Sequence, residues 1–188
     1  GTRLGDATVA ANALLINGLM LSAFALDGLA HAVEALGGHA LGAGDRQALR
    51  RGMLVAGAWS LLASLGFALF FWLGGHWFVG LQTDIATVRS TALTYLPYLA
   101  LLPLVSVWSY LLDGLFIGAM RAREMRDAML LAVGLSVSLA FALKGYGNHG
   151  LWIALLAFML LRSLILGAYA WRLTYTRSWM SGADTAHT

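Results

Sequence analysis

Long apolar runs, separated by short charged or glycine-rich connections, set the pattern of this chain. Crossing about 30 Å of hydrocarbon takes roughly 20 apolar residues in a helix. Five segments qualify: residues 8–36, 52–74, 96–119, 127–144 and 150–171. The runs are too long for membrane strands and lack their period-two alternation. The pattern therefore predicts an all-α fold, a polytopic integral membrane bundle of about five transmembrane helices. The fourth span is the shortest, bounded by Asp127 and by Lys144, whose stem can carry its charge to the interface. Between the second and third spans, "TDIATVRSTALTYL" predicts a short interfacial helix capped by Thr83 or Asp84. Pro97 and Pro103 then fall in the first turns of the third span, and Pro103 is expected to kink it. "LGAGD" (residues 41–45) reads as a tight turn.

Composition agrees with a lipid solvent. Hydrophobic residues make up 60% of the chain and charged residues 11%, with a mean hydropathy of +0.74. A soluble domain carries about 25% charged residues to wet its surface. The net charge of +3 and pI near 9.6 do not point to nucleic acid, because the basic residues sit in short clusters between apolar runs. Absence of cysteine rules out disulfides, thiol catalysis and cysteine-based metal sites.

Loop charge gives an orientation. Arg46, Arg50 and Arg51 occupy the first connection, Arg121, Arg123 and Arg126 the third, and Arg172 and Arg177 the end. The other side has Arg3, Arg89 and, at its border, Lys144. Positive loops stay in the cytoplasm, so the start of the chain is expected in the periplasm and the C-terminus in the cytoplasm. A chain that begins outside with no signal peptide needs an upstream helix, so residue 1 is expected to lie inside a longer protein. Aromatic residues near the proposed boundaries (Trp72, Trp77, Phe78, Tyr95, Tyr98, Trp171, Tyr175 and Trp179) fit interfacial belts. The stretch 181–188 reads as a short disordered tail.

Polar residues inside the spans carry the chemistry. Asp27, His31 and Glu34 follow each other at spacings of four and three, on one helical stripe, with Asn12 and Asn17 within about 80° of it. An ionised acid at the bilayer centre costs at least about 2.5 kcal/mol, so such a face must meet protein or water. Asp27 lies about 15 Å from the inner end of its span, Asp113 about 10 Å and Arg162 about 14 Å, by the helical rise. Arg162 cannot shed its charge and needs an acid; Asp27 and Asp113 are both at suitable depth. A structural ion pair and a functional site remain open readings of that arginine, and Glu34 also reads as a solvated residue at the membrane edge. "HAVEALGGH" matches no metal-ligand spacing, and no metal is expected. Gly114 and Gly118 form GxxxG beside Asp113, a spacing that lets helices approach closely. There is no phosphate-binding loop, serine elbow or acidic aqueous loop, so no enzyme is expected.

"LDGLAHAVEALGGHALGAGD", "YLLDGLFIGAMRAREMRDAM" and "GNHGLWIALLAFMLLRSL", in this order and spacing, resemble the C-terminal half of a MATE (multidrug and toxic compound extrusion) transporter of the DinF-type branch. The resemblance extends to about Arg172. It implies helices 8–12 of a twelve-helix fold, with residues 1–180 a C-terminal transmembrane lobe lacking helix 7. It also implies cation-coupled antiport, protons or sodium entering as cationic or amphipathic drug-like compounds leave through the bacterial inner membrane. The partners would be small molecules, the bilayer and a missing N-terminal lobe, with no other cofactor. By this resemblance Asp113 corresponds to an acid of the C-lobe cation site, and Asp27 and Glu34 to acidic positions of helix 8. His31, Asn17 and Arg162 are the supporting polar residues. A lipid-linked oligosaccharide flippase shares the architecture, and a non-transporting membrane scaffold with inert acids is the reading from another class.

Overall fold

The computed structural model describes residues 5–175, and these form a bundle of long helices with no strand among them. The helices are α1 (Asp6–Gly42), α2 (Arg46–Gly80), α3 (Ala86–Gly118), α4 (Ala122–Ala142) and α5 (Gly147–Tyr175). Arg3, Arg177, Trp179, the side chain of Tyr175 and the tail 181–188 lie outside the described residues.

Three stretches, Asp6–Gly42, Arg46–Gly80 and Ala86–Gly118, are each one helix long and apolar enough to cross a membrane; a fourth, Ala122–Thr174, is helical throughout. At 53 residues the fourth would reach about 80 Å if straight, far beyond any bilayer. It folds back instead: Leu143–Tyr146 tighten into a 3-10 turn, Gly147 takes a φ of +59°, and α5 returns along α4. Five membrane-length helices result, as the hydropathy pattern predicts.

The helices are longer than the apolar runs that announce them. α1 has 37 residues, about 55 Å at 1.5 Å per residue, so its ends stand in water. Hydropathy detects only the part that lipid must solvate. The connection from Gly74 to Tyr95 shows the main departure: no separate interfacial helix exists there. α2 runs on to Gly80, residues 81–85 turn, and "ATVRSTALTYL" forms the first three turns of α3. Ile85 is the N-cap and supplies no side-chain cap; Thr83 Oγ1 accepts a hydrogen bond from the Ile85 N–H at 3.2 Å, steadying the turn rather than starting a helix of its own. Pro97 and Pro103 therefore lie in the body of α3, which stays helical through both.

α3 is the central helix, packing on α1, α2 and α5. Near one end Leu15 and Phe71 meet Leu99 and Leu102 in the largest apolar cluster, with Trp152 of α5 against it. Near the other end Val33 packs with Leu111 and Leu115, and Phe116 packs with Ala128 and Leu166. The first and third connections are built alike at that end. Each helix closes with a residue in the left-handed region, Gly44 (φ +68°) after α1 and Met120 (φ +54°) after α3. Asp45 then caps α2, accepting from the N–H groups of Gln47 and Ala48 at 2.9 Å. "LGAGD" is thus a tight turn. Arg46, Arg50, Arg51, Arg121, Arg123, Arg126 and Arg172 all gather at this end, whereas Arg89 and Lys144 sit at the opposite one.

Candidate functional site

A seam of small residues fixes the geometry around Asp113. A Cβ added at Gly114 would fall on the Ala30 carbonyl, and one at Gly118 would meet the Glu34 carbonyl oxygen at 2.5 Å and the Gly38 nitrogen at 3.0 Å. Ala30, Glu34 and Gly38 are spaced by four along α1, and Gly114 and Gly118 by four along α3, so two helical ridges meet backbone to backbone. The GxxxG spacing is therefore used within the lobe. It presses α3 on α1 and turns Asp113, the residue before Gly114, toward the flank where α5 packs.

Arg162 of α5 meets it there. Its Nη2 lies 2.6 Å from Asp113 Oδ2, and the two side chains are only 21% and 14% exposed. Of the two acids at suitable depth, the arginine takes Asp113. The second carboxylate oxygen, Oδ1, is buried without a hydrogen-bond partner among the described residues, as is Ser109 Oγ, one turn earlier on α3. A buried acceptor left unpaired costs free energy, so this corner holds two unsatisfied oxygens beside a neutralised carboxylate. Asp27 lies within electrostatic reach of Asp113, and Tyr110 within reach of Asp27, Arg162 and Asp113.

The stripe on α1 has a different character. His31 Nε2 lies 3.7 Å from Asp27 Oδ2, and His31 Nδ1 lies 3.3 Å from Glu34 Oε2. The three do share one face, but it is open: Asp27 is 55% exposed and His31 69%. Along this stretch α1 buries Leu26, Ala30 and Val33 instead. Asn17 is not part of this group. It donates to Gln82 Oε1 at 3.0 Å, joining α1 to the turn after α2. Asn17 precedes Asp27 by ten residues, about 15 Å along the helix.

A polar knot ties the first turns of α1 and α5, and no sequence pattern marks it as a unit. Asn12 and Asn148 exchange amide hydrogen bonds at 2.7 and 2.9 Å, and the Trp152 indole donates to Asn12 Oδ1 at 3.0 Å. Close by, Tyr98 Oη and His149 Nδ1 are 3.0 Å apart, and the His149 ring sits 4.8 Å from that of Tyr95. Asn12 is legible in the sequence as a polar residue near the stripe; its partners, 136 and 140 residues away, leave no local signal.

The MatE family model matches residues 2–142, from the start of the chain through α4. The chain belongs to the MatE family. Over all 188 residues it is 42% identical to the DNA damage-inducible protein F of Escherichia coli (strain K12), and it spans 40% of that relative's length. No solved structure matches it. The MatE match includes Asp27, the glycine seam and Asp113, whereas Arg162 lies beyond it on α5. Membership, together with helices of spanning length and apolarity, makes this a multi-pass membrane protein.

Proposed function

We propose that this chain is the C-terminal lobe of a two-lobed antiporter of the bacterial inner membrane that exports cationic or amphipathic compounds in exchange for protons or sodium. The chain itself spans only part of its relative, so transport belongs to the longer protein. One observation carries the reading. Asp113 sits among membrane-spanning helices with one oxygen held by Arg162 and the other buried without a hydrogen-bond partner among the described residues. Intramembrane acids are rare and mark ion or substrate paths, and this one keeps an acceptor in reserve. Asp27, exposed on the neighbouring helix, is the second coupling acid, and Glu34 and His31 support it. Membership of the MatE family supports transport rather than catalysis as the activity. The positive-inside pattern supports a cytoplasmic arginine-rich end, with α1 starting on the periplasmic side.

Replacing Asp113 by Asn in the two-lobed protein keeps the shape and removes the charge. Reconstituted in vesicles with an imposed proton or sodium gradient, Asp113→Asn is expected to lose most gradient-driven export while inserting at normal levels. Undiminished transport by a well-inserted variant would remove Asp113 from the coupling site. The lobe alone should drive no export, because alternating access moves one repeat against another around a shared site.

A further inference from the structure

We infer that Arg162 is a tethered counter-cation that competes with the exported cation for Asp113, and so sets how tightly the site holds its cargo. This rests on the reading of Asp113 as a coupling acid. Three features of the site lead to it.

The first is charge. A guanidinium keeps its charge at any working pH, and a buried carboxylate left without a positive partner is strongly unfavourable. The Asp113–Arg162 contact at 2.6 Å therefore supplies the neutralisation that an empty site needs. A second cation drawn to the same carboxylate meets that fixed charge on the neighbouring oxygen and is repelled by it. Binding without displacement would crowd two positive charges onto one acid. Exchange leaves the net charge of the corner unchanged, so the acid is never stranded.

The second feature is where the arginine holds. It engages Oδ2 alone, and Oδ1 is buried with no hydrogen-bond partner among the described residues, as is Ser109 Oγ one turn earlier on α3. A bidentate pair would use both oxygens; this one leaves Oδ1 uncommitted. The third is a place for the displaced group. Asp27 acts electrostatically on Asp113 and on Tyr110, which also feels Arg162. It is 55% exposed and carries no arginine partner of its own among the described residues. Tyr110 feels both Asp27 and Arg162, so the exposed acid is where the displaced guanidinium is placed when cargo arrives. A purely structural pair would make none of these provisions necessary.

The competition is tested by equilibrium binding of tetraphenylphosphonium, a permanently charged organic cation, to the purified two-lobed protein in sodium-free buffer at fixed pH. Arg162→Lys keeps the positive charge but places it on a more strongly hydrated ammonium, which pairs less well with a buried carboxylate; binding should tighten several-fold. Arg162→Gln removes the competitor, and binding should tighten by about tenfold, within the range usual for coupling between ligands. The double variant Asp113→Asn with Arg162→Gln should lose that gain. Unchanged or weaker binding by a monodisperse Arg162→Lys protein overturns the competition, because a structural arginine would lower stability without raising affinity. Arg162→Lys decides alone if Arg162→Gln does not fold. The parent reading is judged separately: Asp113→Asn binding as tightly as the wild type would show that the cation is not held at Asp113 at all.

Discussion

Arg162 and Asp113 are joined through one oxygen of the carboxylate, at 2.6 Å, across the contact between α5 and α3. Each is the other's compensation inside a bundle that lipid surrounds. Removing one partner leaves a charge without its counter-charge; removing both leaves two neutral amides. In the two-lobed protein, Asp113→Asn or Arg162→Gln alone should each destabilise by about 2–4 kcal/mol, less than a fully buried pair because both side chains keep some exposure. The double variant should cost clearly less than the sum of the two. Thermal unfolding in detergent measures all four corners of the cycle. Additive losses would mean that the pair is not an energetic unit.

The glycine seam predicts a contrast between two substitutions of the same kind. Gly114→Ala would drive a methyl group onto the Ala30 carbonyl, so α1 and α3 must separate. A loss of about 1–3 kcal/mol is expected, as for other overpacked contacts. Gly134, on α4, has nothing within 4 Å of an added Cβ. There the gain in helix propensity should dominate, stabilising by about 0.5–1 kcal/mol. Melting curves of the two alanine variants should move in opposite directions. A neutral Gly114→Ala would mean that the seam is not tight.

The fold was legible because lipid imposes a coarse rule: a run of apolar residues long enough to cross must be a helix. That rule gave five spans with alternating direction, and it placed the arginine clusters at one end. It failed at residues 86–95, where hydropathy falls but α3 has already begun, with Val88 and Ala92 packed into the core. The site was partly legible for a related reason. Asp27, Asp113 and Arg162 stand out because charge in an apolar run is rare, and depth limited the arginine to two acids. The choice of Asp113 over Asp27 depends on how α3 and α5 pack, which no local spacing encodes. Ser109 carries no signal of its own beyond lying one turn before the acid. The Asn12–Asn148–Trp152 knot joins opposite ends of the chain and is invisible without the fold.

Met120 occupies a backbone position better suited to glycine. Its φ of +54° puts the Cβ of an L-residue close to the following carbonyl, a strain of roughly 1–2 kcal/mol. The side chain is 92% exposed, so shortening it removes little packing. Glycine would relieve the strain but widen the unfolded ensemble. The net expectation for Met120→Gly is a gain of about 0.5–1 kcal/mol. Gly44, in the matching turn after α1 at φ +68°, should respond in the reverse sense, Gly44→Ala costing about 1 kcal/mol. Paired melting curves check both signs, and a loss on Met120→Gly would show that its side chain is held by something other than this turn.

Orientation in the membrane is the prediction with the widest consequence. The structure brings the connections around Gly44 and Ala122 to one end of the bundle and the turn after α2 to the other. The arginines of the first end should hold it in the cytoplasm. Because the chain has no native cysteine, a single cysteine reports its own location. Gly44→Cys and Ala122→Cys should resist an impermeant thiol reagent in intact spheroplasts and react once the membrane is opened. For the opposite end Leu81 is the better probe, being 66% exposed, because the Arg89 guanidinium covers the space beside Gly80. Leu81→Cys should label in intact spheroplasts. Labelling of Gly44→Cys and Ala122→Cys from outside, with Leu81→Cys protected, would invert the lobe. Asp113 and Arg162 would then lie nearer the periplasmic face, and the pair would have to meet the exported cation from the other side of the membrane.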